Sequence, residues 1–255
     1  MVSDPAICLT FRVSETPSWT FENLLVMFVA FFGFLLVGAG IEALFITNSI
    51  KATADGKFVV MVIHAACFNV GGCFCIGLLL TLERRTWNDA FGLNRSPLKA
   101  LGLGLGVAAI LTPAVMLLQA GIANLVTRPG KAPELQRIVR TIENTTNYDQ
   151  LFFFGVLAIV LAPVIEELLF RGILFRSIKA AGHPKIALWG TSIMFGLIHA
   201  TELAIIPLTV LAVILAKLYE RTDNILAPII AHATFNAVNF TLLLNSNKLK
   251  EMIGP

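Results

Sequence analysis

Repeated apolar stretches, separated by polar turns, are the feature of this sequence that most limits its fold. A helix needs about 20 consecutive apolar residues to cross the hydrocarbon core of a bilayer. The apolar segments are Leu24–Ile46, Phe58–Leu82, Leu98–Leu125, Leu151–Ala181, Lys185–Ala200, Leu203–Tyr219 and Ile225–Leu244. Hydrophobic residues make up 56% of the 255 residues and charged residues 14%, against about 45–50% and 25% in soluble domains. We therefore predict an all-α, polytopic transmembrane helix bundle of about seven or eight helices. It forms a single integral membrane domain over residues 1–255.

The distribution of basic residues predicts the orientation of the bundle. Residues 83–97 carry Arg84, Arg85 and Arg95, the clearest basic cluster between two spans, and such loops face the cytoplasm. The N-terminus is then cytoplasmic as well, and residues 1–22 do not resemble a cleaved signal peptide. Alternation places the C-terminus outside, which the basic tail does not support, so a re-entrant or interfacial segment is a second interpretation. Residues 133–141 could form a short amphipathic helix in the longest polar segment.

Several features are interpreted as structural rather than functional. The sequence has no block of Lys and Arg, so nucleic acid is not an expected partner, whereas the lipid bilayer is. The four cysteines lack a Cys-x-x-Cys spacing and are interpreted as small apolar residues. Gly102 and Gly106 are predicted to pack closely against a neighbouring helix. Glu42 is predicted to reach the interface, and His64 is set aside because its spacing to Asn69 puts the two on different helix faces.

One apolar segment carries charged residues, which are energetically costly in a membrane-spanning helix. Within residues 151–181, Glu166, Glu167 and Arg171 interrupt the apolar run. Each costs roughly 2.5–3.5 kcal/mol at the centre of a spanning helix, while a large apolar residue returns about 0.3–0.6 kcal/mol. Residues 167 and 171 are one turn apart and can pair, and Glu166 points about 100° away from Glu167. These side chains therefore need partners, a water-filled cavity or a function.

Two later segments carry polar residues at the same helical spacing. They are Phe195-Gly-Leu-Ile-His199 and His232-Ala-Thr-Phe-Asn236. Because intramembrane ionisable groups usually face the bundle interior, we expect these side chains to converge with the carboxylates. The core of the predicted site is therefore residues 151–244, with an intramembrane polar cavity.

The residue types at this cavity indicate hydrolysis by an activated water. A carboxylate with an imidazole can orient and deprotonate water, and a second imidazole with an amide can stabilise an oxyanion. Glu166, His199 and His232 could alternatively hold zinc with one open position, although no His-Glu-x-x-His motif is present. A purely structural interpretation also stays open, in which Glu167 and Arg171 form a packing ion pair and the other polar groups bond between helices.

The ordered motifs resemble the signature of a known family. Glu166-Glu167-x-x-x-Arg171, Phe195-x-x-x-His199 and His232-x-x-x-Asn236 are similar to the motifs of the CPBP (Abi) intramembrane proteases. This group processes CAAX proteins and bacteriocins and includes the Rce1-like CAAX prenyl endopeptidases. Phe91-Gly-Leu-Asn-Arg95 is similar to a feature common in bacterial members.

The resemblance implies roles for these residues. Glu166 and His199 would activate the water, His232 and Asn236 would form the oxyanion site, and Glu167 with Arg171 would support them. Phe195 would pack around His199. The resemblance implies no particular cofactor, and zinc stays possible.

The leading interpretation is a membrane-embedded, glutamate-dependent endopeptidase. Its substrates would be membrane-associated peptides or prenylated proteins, of the CAAX or bacteriocin type. It would lie in the plasma membrane of a bacterium or the endoplasmic reticulum of a eukaryote. Two alternatives remain: a non-catalytic scaffold or bacteriocin-immunity protein that retains the motifs, and a carrier that uses Glu166 and His199 as a proton relay.

Overall fold

The computed structural model describes residues 19–126, 139, 141–142, 145–199 and 202–245. All regular structure in these residues is helical, which confirms the predicted fold class. The helices, numbered in chain order, are α1 (Phe21–Phe45), α2 (Asn48–Ala52), α3 (Ala54–Leu82), α4 (Trp87–Phe91), α5 (Pro97–Val126), α6 (Tyr148–Ala180), α7 (Pro184–Ile198), α8 (Glu202–Thr222) and α9 (Leu226–Leu244). The predicted amphipathic helix falls largely on residues that are not described, and the basic tail lies outside them.

Six helices of the described part are long and apolar enough to cross a membrane, namely α1, α3, α5, α6, α8 and α9. The protein is therefore an integral, multi-pass membrane protein, as predicted. The 15-residue α7 is apolar but shorter and rises only about 22 Å, less than the hydrocarbon core of about 30 Å. α7 is therefore too short to cross the bilayer by itself.

α6 lies at the centre of the bundle and contacts α3, α7, α8 and α9. α1 packs on α3, α7 packs on α8, and α5 packs on α8 and α9. Gly72 of α3 permits a close approach beside the charged motif, because a Cβ there would lie 2.7 Å from Cγ2 of Ile165. The predicted packing through Gly102 and Gly106 is wrong within the described chain, since a Cβ at either position meets no atom within 4 Å. Gly104 makes the close contact instead, with the Ala227 carbonyl oxygen on α9.

α6 contains two π-helical segments, Leu157–Leu161 and Leu168–Phe175. The first has a direct cause in the sequence. In the π register the N–H of Ala162 bonds the carbonyl of Leu157, so the next N–H would bond the carbonyl of Ala158. That next residue is Pro163, which has no N–H to donate. The Ala158 carbonyl is therefore open to a partner from outside the helix. π segments of this kind often occur at functional sites.

A loop between α3 and α5 connects the ends of α6 and α9. We call residues 86–96, which include α4, the bridging loop. Its Ala90 carbonyl accepts a hydrogen bond from the guanidinium of Arg176 near the end of α6. Its Phe91 carbonyl accepts one from the N–H of Ile225, 3.0 Å away, at the start of α9. The Phe91 ring is fully buried against Gly172 of α6, where a Cβ would lie 2.5 Å from it. The bridging loop thus sets the distance between α6 and α9 at this end.

Polar side chains on the α8–α9 turn complete this connection. The Asn224 amide donates to the carbonyls of Leu93 (3.2 Å) and Arg95 (2.8 Å). Arg95 of the loop and Arg176 of α6 both pair with Asp223. The ends of α3, α6 and α8 and the start of α9 therefore meet at one end of the bundle, which the basic cluster predicts to be cytoplasmic.

Candidate active site

A buried ion pair on α6 forms the base of the site. Nη1 of Arg171 donates to Oε1 of Glu167 at 2.6 Å, and Nη2 donates to the Ala212 carbonyl of α8 at 3.2 Å. The guanidinium lies 4.8 Å from the centre of the Phe195 ring of α7. Glu167 is 0% exposed, so its charge depends on these neighbours for stabilisation. The pair therefore joins three helices, and the predicted pairing of residues 167 and 171 is present.

His232 of α9 is oriented by the same carboxylate. Its Nδ1 lies 2.8 Å from Oε1 of Glu167, which is also bound by Arg171. An ionised carboxylate only accepts hydrogen bonds, so Nδ1 carries the hydrogen. Nε2 is left facing Oε2 of Glu166, 3.8 Å away. This distance is too long for a direct hydrogen bond and leaves both atoms available to a third group.

His199 follows the last residue of α7, and its ring orientation is determined by the helix backbone. Nδ1 donates to the Phe195 carbonyl at 2.7 Å, because a carbonyl can only accept. In the neutral ring the lone pair is therefore on Nε2. The Phe195 ring packs between the two imidazoles, with ring centres 4.8 Å from His199 and 5.7 Å from His232. Phe195 thus has the packing position that the sequence predicted.

A glycine in α7 allows the approach that positions His199. A Cβ on Gly196 would lie 2.5 Å from the Ile205 carbonyl oxygen and 2.5 Å from Oγ1 of Thr209, both on α8. The backbones of α7 and α8 therefore contact each other directly, three residues before His199. A larger side chain would push α7 away from α8.

The two adjacent carboxylates have different surroundings. Glu167 is fully buried and bonded to Arg171 and His232, whereas the Glu166 side chain is 14% exposed. Oε2 of Glu166 faces Nε2 of His232 across the 3.8 Å gap. Glu166 is thus the carboxylate with space beside it, and it points to a different side from Glu167, as the helical spacing predicted.

Asn236 lies one turn beyond His232 on α9, and its side chain bonds to α6. Its Nδ2 donates to the Ala158 carbonyl at 2.8 Å, the carbonyl left open by Pro163 in the first π segment. One of its two amide hydrogens is therefore used between helices, and the other can still act elsewhere.

The acidic and imidazole side chains of the site are not arranged as a metal centre. Within the described residues, no group of three His, Cys, Asp and Glu side chains is placed to hold a metal ion. Zinc binding by Glu166, His199 and His232 stays a prediction.

Sequence reasoning missed a second polar pair within the membrane. Oε2 of Glu42 on α1 lies 2.7 Å from Nε2 of His64 on α3. The apolar pattern predicted that Glu42 reaches the interface, and His64 was set aside. The sequence carries no clear signal for the pair, because the connection between α1 and α3 contains the short helix α2 and hides the relative depth of the two residues.

The fold and the site define an integral membrane protein with a buried, charged cluster on α6, α7 and α9. Comparison with known proteins matches residues 148–238 to the family described as type II CAAX prenyl endopeptidase Rce1-like. This segment carries every residue of the cluster, and the match confirms the resemblance drawn from the motifs. The protein thus carries an Rce1-like segment in its second half.

Two curated relatives share parts of the sequence. One is the candidate membrane peptidase YdiL of Bacillus subtilis, 31% identical over 81 residues, or 32% of this chain and 33% of that protein. Another is UPF0177 protein YxdF of Lactococcus lactis, 31% identical over 78 residues, or 30% of this chain and 42% of that protein. The matches therefore span less than half of either relative. No solved structure matches the chain significantly.

Proposed function

We propose that the protein is an intramembrane endopeptidase in which Glu166 activates a water molecule. The observation that carries this proposal is the open, 3.8 Å gap between Oε2 of Glu166 and Nε2 of His232 in an otherwise tightly bonded cluster. The match of residues 148–238 to a family of endopeptidases gives independent support for the reaction class.

Glu166 is the better base because one oxygen of its neighbour is already occupied. Oε1 of Glu167 receives hydrogen bonds from both Arg171 and His232, and Glu167 is fully buried. Glu166 is partly exposed and lies at the gap with its Oε2. A general base must lie within hydrogen-bonding reach of the water it deprotonates, and a water in this gap would be within reach of Glu166.

In the proposed reaction the water oxygen attacks the scissile carbonyl carbon while Glu166 takes one of its protons. Nε2 of His199, whose lone pair is exposed by the Nδ1 bond to Phe195, accepts the other water hydrogen and orients the attack. The carbonyl oxygen becomes an oxyanion in a tetrahedral intermediate. Glu166 then gives its proton to the leaving nitrogen as the C–N bond breaks, which regenerates the carboxylate.

His232 is suited to stabilise the oxyanion. Its Nδ1 donates to Glu167, which holds the ring with Nε2 toward the gap beside Glu166. A proton on Nε2 would let the ring donate a hydrogen bond to the oxyanion as negative charge develops there. The second amide hydrogen of Asn236 is available to assist.

The proposed substrates are peptides that reach the site from the bilayer, including lipidated and prenylated chains. The cluster lies on the membrane-spanning helices α6 and α9 and on the shorter α7. The matched family takes its name from prenylated CAAX substrates, which makes these the first peptides to test.

The experiment compares Glu166→Gln with Glu42→Gln, which removes a partly buried carboxylate from another span. Purified proteins in detergent are assayed against prenylated and non-prenylated membrane peptides, with and without chelator. We expect Glu166→Gln to lose about 10²–10⁴-fold in turnover, the usual contribution of a general base, and Glu42→Gln to stay close to wild type.

Unchanged turnover by a folded Glu166→Gln protein would contradict the mechanism. A wild type that cleaves nothing across the panel would instead favour the scaffold or immunity interpretation. If a chelator abolished turnover and added zinc restored it, zinc would be part of the mechanism.

A further inference from the structure

A groove on the outer surface of α3 is separate from the proposed active site. It encloses about 690 Å³ and lies where α3 ends and the bridging loop begins. Phe74, Gly77 and Leu78 of α3 form its apolar wall, and Arg84, Thr86 and Trp87 lie at its other end. Phe74 is 57% exposed and Trp87 is 42% exposed, so the groove is open to the surroundings. Its apolar part belongs to a membrane-crossing helix, while its polar part begins two residues after that helix ends.

Arg84 provides a positive charge at the polar end. Its side chain is exposed and makes no hydrogen bond or ion pair within the described residues. Its backbone has a φ of +52°, the left-handed conformation that commonly ends a helix, and the N–H groups of Arg84 and Arg85 bond the carbonyls of Thr81 and Leu80. The end of α3 thus places this arginine at the mouth of the groove.

The nearby carboxylates of the described residues form no ion pair with Arg84 and bond other groups. Oε1 of Glu83 is bonded to the Thr20 backbone N–H (2.8 Å) and hydroxyl (2.6 Å) and to the Asn23 amide (2.9 Å). Asp89 accepts a hydrogen bond from the Thr86 hydroxyl at 2.6 Å. The positive end of the groove thus remains available to an external anion.

We propose that this groove binds one anionic phospholipid from the surrounding leaflet. The phosphate would contact the guanidinium of Arg84, and an acyl chain would lie along Phe74 and Leu78. The exposed Trp87 indole is at the level where aromatic side chains meet lipid headgroups. A soluble phosphate would use only the polar end, whereas a phospholipid complements both the charge and the apolar wall.

Two glycine substitutions test whether the groove is occupied. A Cβ at Gly77 meets no atom within 4 Å, so Gly77→Leu fills the groove without a clash at the backbone. Gly33 on α1 is equally open and lies outside the groove, which makes Gly33→Leu the matched control. Leucine is a better helix former than glycine, so neither variant should unfold the protein. Their melting temperatures verify this.

Two arginine substitutions test the charge. Arg84→Asn removes the guanidinium and retains a residue that tolerates positive φ. Arg221→Gln, on an exposed arginine at the end of α8, is the control. Binding of dioleoylphosphatidylglycerol and dioleoylphosphatidylcholine to delipidated protein is titrated in detergent by native mass spectrometry, with glycerol phosphate as the soluble competitor.

We expect wild type, Gly33→Leu and Arg221→Gln to bind one phosphatidylglycerol in preference to phosphatidylcholine. Gly77→Leu should weaken the binding of both lipids at least about fivefold. Arg84→Asn should weaken the binding of phosphatidylglycerol by about fivefold, the contribution of one basic residue near the surface, and so remove the preference for it over phosphatidylcholine. Glycerol phosphate should not compete at equal concentration. Equal binding by Gly77→Leu and Gly33→Leu, no preference in wild type, or full competition by glycerol phosphate would each overturn the proposal.

Discussion

Replacement of Arg171 by methionine tests the idea that one buried arginine supports the whole site. Arg171→Met keeps most of the apolar stem but removes the donor to Glu167 and to the Ala212 carbonyl. Glu167 is 0% exposed, so its carboxylate would be left as a buried charge without its strongest partner. Breaking one side of such a pair costs about 3–5 kcal/mol. For a chain of this size about 1 kcal/mol shifts the melting temperature by 2–4 °C, so we expect a fall of about 6–20 °C.

The assay is thermal unfolding in detergent, followed by tryptophan emission at one fixed scan rate. The control is Lys217→Met, which breaks a 2.7 Å ion pair with Glu220 in which the lysine side chain is 58% exposed. Exposed pairs contribute about 0–1 kcal/mol, so this variant should melt within about 4 °C of wild type. The double variant Glu167→Gln/Arg171→Met has no uncompensated charge at this pair and should recover much of the loss.

Two results would refute this reasoning. In the first, Arg171→Met melts as close to wild type as Lys217→Met does. In the second, the double variant is as unstable as the sum of its single variants, which would mean that the two side chains are not coupled.

Two further predictions concern packing and acid stability. Gly196→Ala should destabilise the protein by about 1–3 kcal/mol and reduce activity, because its Cβ would lie 2.5 Å from a carbonyl oxygen on α8. The control is Gly190→Ala on the same helix. Its Cβ would lie 3.6 Å from the nearest atom, so this variant should be as stable as wild type or more stable. For Glu83, partial burial opposes ionisation, but hydrogen bonds from Thr20 and Asn23 outweigh it and lower the pKa below 4.5. The folded carboxylate thus stabilises the protein at neutral pH, and this contribution is lost as the pH falls below about 4.5, so Glu83→Gln should flatten the acid side of the stability–pH curve.

Melting temperatures and peptide turnover measure the first effect, and unfolding between pH 3 and pH 7 measures the second. Equal stability of the two glycine variants would show that α7 can move away from α8 without loss. An unchanged acid limb in Glu83→Gln would show that the three bonds to this carboxylate add nothing to folding.

The spans of this protein were predictable because hydrophobic length and turn residues act locally. The long fourth apolar segment was predicted to end at Ala181, and α6 ends at Ala180. The convergence of the charged motifs was predictable as well, because a charge facing lipid is far more costly than one facing a bundle interior.

The partners within the site were harder to predict, because helical spacing does not say which neighbour a side chain meets. The family resemblance paired Glu166 with His199 and His232 with Asn236. In the structure His232 bonds Glu167 and faces Glu166, and the Asn236 amide bonds a carbonyl of α6. That carbonyl is open because of the π segment before Pro163. A prediction that assumes 3.6 residues per turn along the whole helix cannot detect such a segment.

Gly102 and Gly106 show a related limit. The spacing of the small residues predicted a close helix contact on α5, but the contact is made by Gly104 on another face. The rotation of a helix about its axis depends on packing against several neighbours, and an almost uniformly apolar helix carries little information about it.

The bridging loop has a consequence for dissecting the protein. The matched segment begins at residue 148, yet three of its donor groups bond to carbonyl oxygens of residues 90–95. These donors are the guanidinium of Arg176, the Asn224 amide and the N–H of Ile225. A fragment that began with the matched segment would carry every proposed catalytic side chain but would leave these donors without acceptors and Gly172 without the Phe91 ring. A truncated or split version that keeps the site must therefore also supply the bridging loop, residues 86–96.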